Sequence, residues 1–200
     1  MLSMGHHLQR NISEGQLFGL ENIYDHYLSE GAADRMCAYL KERWEKPGSR
    51  YHVMKEMFAC LHKLEVLSAD WPKKVRHYEK VLFGGGRKQY EALHQYRMAD
   101  KIAEQLLSYF IYVYFAGAVY DGMPYSKVKL AVISTMLIED MVCAKAAEKG
   151  QLSFEAIADA AHSYAREVEH SDLNLQRLSI MFRHQKCFHI GRLCGALLEW

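Results

Sequence analysis

An all-α fold is predicted by three features of the 200-residue sequence. Apolar residues recur at three- and four-residue spacing along most of the chain, and no stretch alternates apolar with polar residues for more than a few positions. The run Leu106–Tyr120, LLSYFIYVYFAGAVY, has almost no polar face at either period. A helix that is apolar all round belongs in an interior, so the expected architecture is a single domain of about eight helices around a buried central helix at about residues 100–120. The run falls short of the roughly 18 apolar residues of a membrane span, and no internal repeat points to a solenoid.

The elements follow in order. Ser13-Glu14-Gly15-Gln16 has the S-x-x-Q form of a capping box, and Leu17, Leu20, Ile23, Tyr24 and Tyr27 follow at helical spacing, which predicts a helix from Ser13 to Ser29. Ala32 to Trp44 carries Met36, Tyr39 and Leu40 on one stripe and stops at Pro47-Gly48. Tyr51 to Leu67 repeats the pattern with Met54, Met57, Phe58, Leu61 and Leu64. After a turn at Ser68–Pro72 a shorter helix runs to Leu82. Gly84-Gly85-Gly86 is the expected hinge between an N-terminal helical part, 1–83, and a core part, 87–200, packed as one domain. The three glycines match neither phosphate-binding pattern, G-x-G-x-x-G or G-x-x-x-x-G-K-[ST].

The central helix is predicted over Lys88–Tyr120, entering as an amphipathic helix and sinking inward near Ile102. Asp121–Pro124 reads as a turn whose proline opens the next helix at its first position. That helix, from Ser126, presents Val128, Ala131, Val132, Met136, Asp140 and Met141 on one broad face and closes with Lys149 and Gly150. Ser153 can cap a helix bearing Ile157, Ala160, Ala161, Tyr164 and Val168; Asp172 restarts the chain as Leu173–Phe182, and Phe188–Leu198 forms the last helix.

Charge narrows the partners. With 25 basic and 24 acidic residues, net charge +1, the chain has no electrostatic footprint for nucleic acid or an anionic membrane, and neither is an expected partner. Five cysteines with no C-x-x-C pair read as free thiols of a reducing compartment. Met1–Asn11 lacks the apolar core of a secretory signal, so a cytoplasmic location is expected.

Chemistry concentrates in Tyr164–Asn174, YAREVEHSDLN. At 100° per residue, Glu167 and Ser171 fall within about 60° of Tyr164, while His162, Arg166, Glu169 and His170 point the other way. A carboxylate on an apolar stripe costs several kcal/mol unless paired, so Glu167 has either a partner, a task, or a place at the margin of a solvated face. Glu91–His94 and Glu167–His170 share the E-x-x-H spacing of di-iron bundles. Glu104 and Glu139 are only loose candidates for the further carboxylates, and His184, Cys187 and His189 lack a fourth zinc ligand, so no metal is expected. Tyr109, Tyr112, Tyr114 and Tyr120 read either as core or as the wall of a polar cavity suited to a cationic ligand.

Three blocks in this order, the YFIYVYF helix leading into Gly117–Gly122, the helix opening Val128-Lys-Leu-Ala-Val-Ile, and Tyr164–Asn174, resemble the C-terminal half of the bacterial flagellin lysine-N-methylase family. The likeness is most specific at Tyr164–Asn174 and extends from Tyr90 to Leu178. It implies an S-adenosylmethionine-dependent protein lysine N-methyltransferase acting on flagellin. Family members also resemble cysteine-cluster proteins at their N-terminal end, with an iron-sulfur centre; this chain, with scattered cysteines, looks like the portion without that region and does not ligate such a cluster.

Transfer to lysine needs a neutral amine, whereas a free lysine has a pKa of about 10.4. An apolar pocket lowers it, and a carboxylate or tyrosinate takes the proton. On this reading Glu167 and Tyr164 are catalytic. Tyr109, Tyr112, Tyr120, Asp121 and Arg166 hold the methyl donor, in a helical cavity because no Rossmann fingerprint is present, and His170 and Asn174 contact the substrate. The competing reading is a non-enzymatic helical interaction module that docks a partner on the Arg166–His170 face, and a di-metal bundle is a third.

Overall fold

The computed structural model describes residues 1–16, 20–44 and 49–199. Among them are eleven helices of eight residues or more and one single-turn helix. These are α1 (Leu2–Ser13), α2 (Leu20–Leu28), α3 (Ala32–Trp44), α4 (Ser49–Leu61), α5 (Trp71–Phe83), α6 (Gly86–Leu93), α7 (Asp100–Tyr114), α8 (Ala118–Asp121), α9 (Pro124–Lys149), α10 (Phe154–Val168), α11 (Asp172–His184) and α12 (Ile190–Leu198). No strand occurs among the described residues, so the chain is all-α.

The helix at the centre is α9, not the aromatic run. Of its 26 residues 19 are buried, and α1, α4, α5, α6, α7, α10 and α11 all pack against it. In α7 only Phe110 is buried. Asp100–Asp121 is long and apolar enough to cross a membrane by length and composition, yet 6 % of its most apolar window is buried. The expectation of a buried central helix at 100–120 is therefore corrected: α7 lies at the periphery and covers α9 with one face only.

The predicted continuous helix over 88–120 is also interrupted. Arg97 and Ala99 take extended conformations, with ψ of 154° and 142°, and a 3₁₀ turn at Phe115–Gly117 separates α7 from α8. Other signals hold. Pro124 opens α9, Gly150 closes it at φ 70°, and the Ser153 hydroxyl accepts the Ala156 amide at 3.2 Å. Gly86, at φ 77°, makes the turn between α5 and α6, both of which pack on α9.

Near the N-terminus the reading changes. Ser13 ends α1 rather than capping a new helix, and its hydroxyl donates to the Gln9 carbonyl at 2.8 Å. Helix α1 was absent from the sequence pattern because its contact with α9 runs through a glycine: a Cβ on Gly5 would stand 3.0 Å from Val128 Cγ2. The predicted stripe residue Leu17 and the stop at Pro47-Gly48 lie outside the described residues.

Candidate functional site

The polar cluster of α10 and α11 divides as its helical angles require. Tyr164, Glu167 and Asn174 are fully buried, whereas His162 and His170 are exposed. Glu167 Oε2 accepts the amides of Leu67 at 3.0 Å and Ser68 at 3.2 Å, and Oε1 lies 3.6 Å from Arg166 Nε. Asn174 Oδ1 accepts the Glu65 amide at 2.6 Å, while its Nδ2 donates to the carbonyls of Glu65 at 2.9 Å and Glu167 at 2.7 Å. Ser171 caps α11 through the Asn174 amide and donates its hydroxyl to Glu65 Oε2 at 3.0 Å.

These bonds satisfy the backbone of the connection between α4 and α5, which has no regular ladder of its own. Glu167 and Asn174 are thus a clamp on residues 65–68. Burial keeps Glu167 from an incoming amine, and Asn174 has both ends of its amide engaged. Tyr164 shares a 2.8 Å hydrogen bond with Ser134 of α9, and its phenol is pushed well up by burial.

The residues expected to hold a donor do not converge. Tyr112 and Tyr120 are 88 % and 93 % exposed. Asp121 pairs with Lys127 at 2.6 Å and accepts the Met123 amide, closing the turn before α9. Arg166 reaches Ser68 Oγ at 3.1 Å and Asp70 at 3.7 Å. Tyr109 instead meets a residue placed outside the predicted site: both its hydroxyl and that of Tyr114 donate to Glu169 Oε2, each at 3.0 Å. Desolvation and the Glu169 charge raise both phenols, so both remain donors.

A buried ionic cluster lies on α9. Arg50 of α4 reaches Asp140 at 2.9 Å and Glu139 at 3.3 Å, and Tyr90 of α6 donates to the other Asp140 oxygen at 2.8 Å. Burial pushes the Glu139 carboxyl up to about 8 against the pull of Arg50, and it lowers His94. Glu139 Oε1 and His94 Nε2 have no hydrogen-bond partner among the described residues, and the two residues line a cavity of about 30 Å³, room for one water. The sequence signal was an acidic pair in a helix that carries a broad apolar face, but Arg50 stands 90 residues from Asp140.

A larger cavity, about 530 Å³, opens between α1, α3, α7, α9 and α12. Leu40, Leu107, Met136 and Leu198 make its apolar walls; Thr135 spends its hydroxyl on the Ala131 carbonyl, and the exposed Glu104 adds a carboxylate to the lining. Its volume lies in the usual ligand range, and its lining suits a hydrocarbon chain with a charged end. It does not fit an adenosyl donor, whose ribose, purine and amino-acid groups need many more polar partners than these walls supply. Among the described residues no three of His, Cys, Asp or Glu gather to hold a metal ion.

The described residues form an all-helical domain with an apolar cavity of ligand size between its helices and no nucleotide-binding sheet. The chain belongs to the FliB lysine N-methylase C-terminal domain family, whose model matches residues 1–196. No curated protein and no solved structure matches it.

Proposed function

We propose that this chain is the lysine-binding helical portion of a protein lysine N-methyltransferase that modifies flagellin in the cytoplasm with S-adenosylmethionine as methyl source. The observation that carries this reading is the 530 Å³ apolar cavity with Glu104 among its lining residues, in a chain of a lysine N-methylase family. The four-methylene stem of lysine matches walls of Leu107, Met136 and Leu198. Stripped of water there, the ammonium loses stabilisation and its pKa falls.

In methylation the lysine nitrogen would form a bond to the donor's methyl carbon as the S–CH3 bond of its sulfonium breaks and a neutral thioether leaves, and the nitrogen would give up one proton. Glu104 is the proposed acceptor of that proton from Nζ. The walls exclude water and hold the stem in one direction, which supplies orientation. The free thiols support a reducing compartment.

The test is transfer of labelled methyl groups to flagellin, with the family's N-terminal portion supplied if the chain alone is inactive. Glu104→Gln is expected to lower transfer 10²- to 10⁴-fold with the fold intact. Wild-type rates in Glu104→Gln would remove this carboxylate from the reaction. A Met136→Trp variant, which fills the cavity, is expected to raise the KM for flagellin.

A further inference from the structure

We infer that the outer face of α7 and α8, from Tyr109 to Tyr120, together with Glu169 of α10, is a docking surface for a lysine-bearing stretch of polypeptide. The inference deepens the methyl-transfer reading, and rests on it for the partner's role as substrate. Two independent observations point to it.

The first is apolar surface that the described residues leave uncovered. Tyr112, Val119 and Tyr120 are 88 %, 86 % and 93 % exposed, and Tyr109 and Val113 about half exposed. Single exposed apolar residues are ordinary; a run of them along one element marks a contact face. Tyrosine suits such a face because a large ring is immobilised at the cost of only two torsions.

The second is a carboxylate set at the edge of that face. Glu169 Oε2 takes the hydroxyls of Tyr109 and Tyr114, which fixes the group, and Oε1 has no protein partner among the described residues. Nearby cations are engaged: Lys127 with Asp121, Arg166 with Ser68 and Asp70. A carboxylate ringed by aromatic edges is complementary to an ammonium on an aliphatic stem, which lays its methylenes on the rings and its charge on Oε1.

That charge also decides between occupants. An anionic bilayer surface would oppose a fixed carboxylate, and a second copy in a two-fold contact would bring two such carboxylates onto one patch. A cationic polypeptide meets neither cost. Glu104 and Tyr109 are five residues apart on α7, about 7.5 Å of rise and about 140° of turn, so a segment that passes over α7 can hold one lysine at Glu169 while another enters the cavity.

Binding of fluorescently labelled flagellin, measured without methyl donor, tests this separately from transfer. Glu169→Gln keeps the tyrosine hydrogen bonds and loses the charge; it and Tyr112→Ser are each expected to weaken binding at least tenfold with unchanged melting temperature. Lysine-acetylated flagellin is expected to bind wild type at least tenfold more weakly. Equal binding by wild type, Glu169→Gln and Tyr112→Ser, or no preference for free lysines, would overturn the inference even if transfer is confirmed. So would a wild-type dimer that Tyr112→Ser dissociates, or Tyr112-dependent binding to phosphatidylserine vesicles.

Discussion

Helices α7 and α9 exchange the places that their side chains suggest. Helix α7 is the more apolar, rich in tyrosine and phenylalanine, and shows one buried residue; α9 contains Lys129, Ser134, Thr135, Glu139 and Asp140, all buried. The difference is one of partners rather than hydropathy. The buried polar side chains of α9 have partners: Lys129 Nζ donates to the Phe182 carbonyl at 2.6 Å and lies 4.3 Å from the Tyr125 ring centre, Ser134 meets Tyr164, Thr135 donates to the Ala131 carbonyl, and one oxygen of Glu139 and both of Asp140 meet Arg50 or Tyr90. A helix can therefore be buried on every side while reading as amphipathic, and an aromatic one can stay outside because only one of its faces has a neighbour.

The contrast can be broken most severely at the ionic cluster. Arg50→Met removes the cation and leaves two carboxyl groups buried, at an expected cost of about 3–5 kcal/mol; a urea melt that moves by less than about 1 kcal/mol would mean that α9 does not depend on this pairing. Phe110→Ala is expected to cost about 3–5 kcal/mol as well, since Phe110 is the point where α7 meets the interior and packs edge-on to Tyr164.

Next in size is Lys129, whose pKa burial lowers to about 8 from 10.5. Between these values the unfolded chain binds the extra proton, so the folded state gains stability as pH rises, by at most about 3 kcal/mol. Lys129→Met should flatten that part of the pH–stability curve, and an unchanged slope would show that Lys129 stays charged. Smaller still, Glu167→Gln keeps an acceptor for the Leu67 and Ser68 amides but loses the charge, with an expected loss of about 1–3 kcal/mol. Faster hydrogen exchange at Leu67 and Ser68 would mark the clamp as the element weakened.

Much of the local structure was legible because its causes are local. Pro124, Gly150 and Ser153 act within a few residues of themselves, and the inward turn of Glu167 followed from helical angle alone. What Glu167 binds did not, since the amides of Leu67 and Ser68 are 100 and 99 residues away. Gly5 concealed α1 because its packing consists of an absent side chain. The central helix was misplaced for a related reason: apolar content measures what a helix can bury, whereas burial depends on how many neighbours surround it. Of the candidate site, the tyrosines and Glu104 were visible as residue types, but the cavity and the Tyr109–Tyr114–Glu169 contact arise only when α7 lies beside α9 and α10.

The most direct measurement pairs one aspartate on each helix in urea melts, Tyr112→Asp on α7 and Ile138→Asp on α9. Tyr112 is 88 % exposed and Ile138 1 %. The expected result is a Tyr112→Asp protein within about 0.5 kcal/mol of wild type, beside an Ile138→Asp protein that loses several kcal/mol or does not fold. A Tyr112→Asp chain that unfolds while Ile138→Asp remains stable would contradict the assignment of α9 to the interior and α7 to the surface.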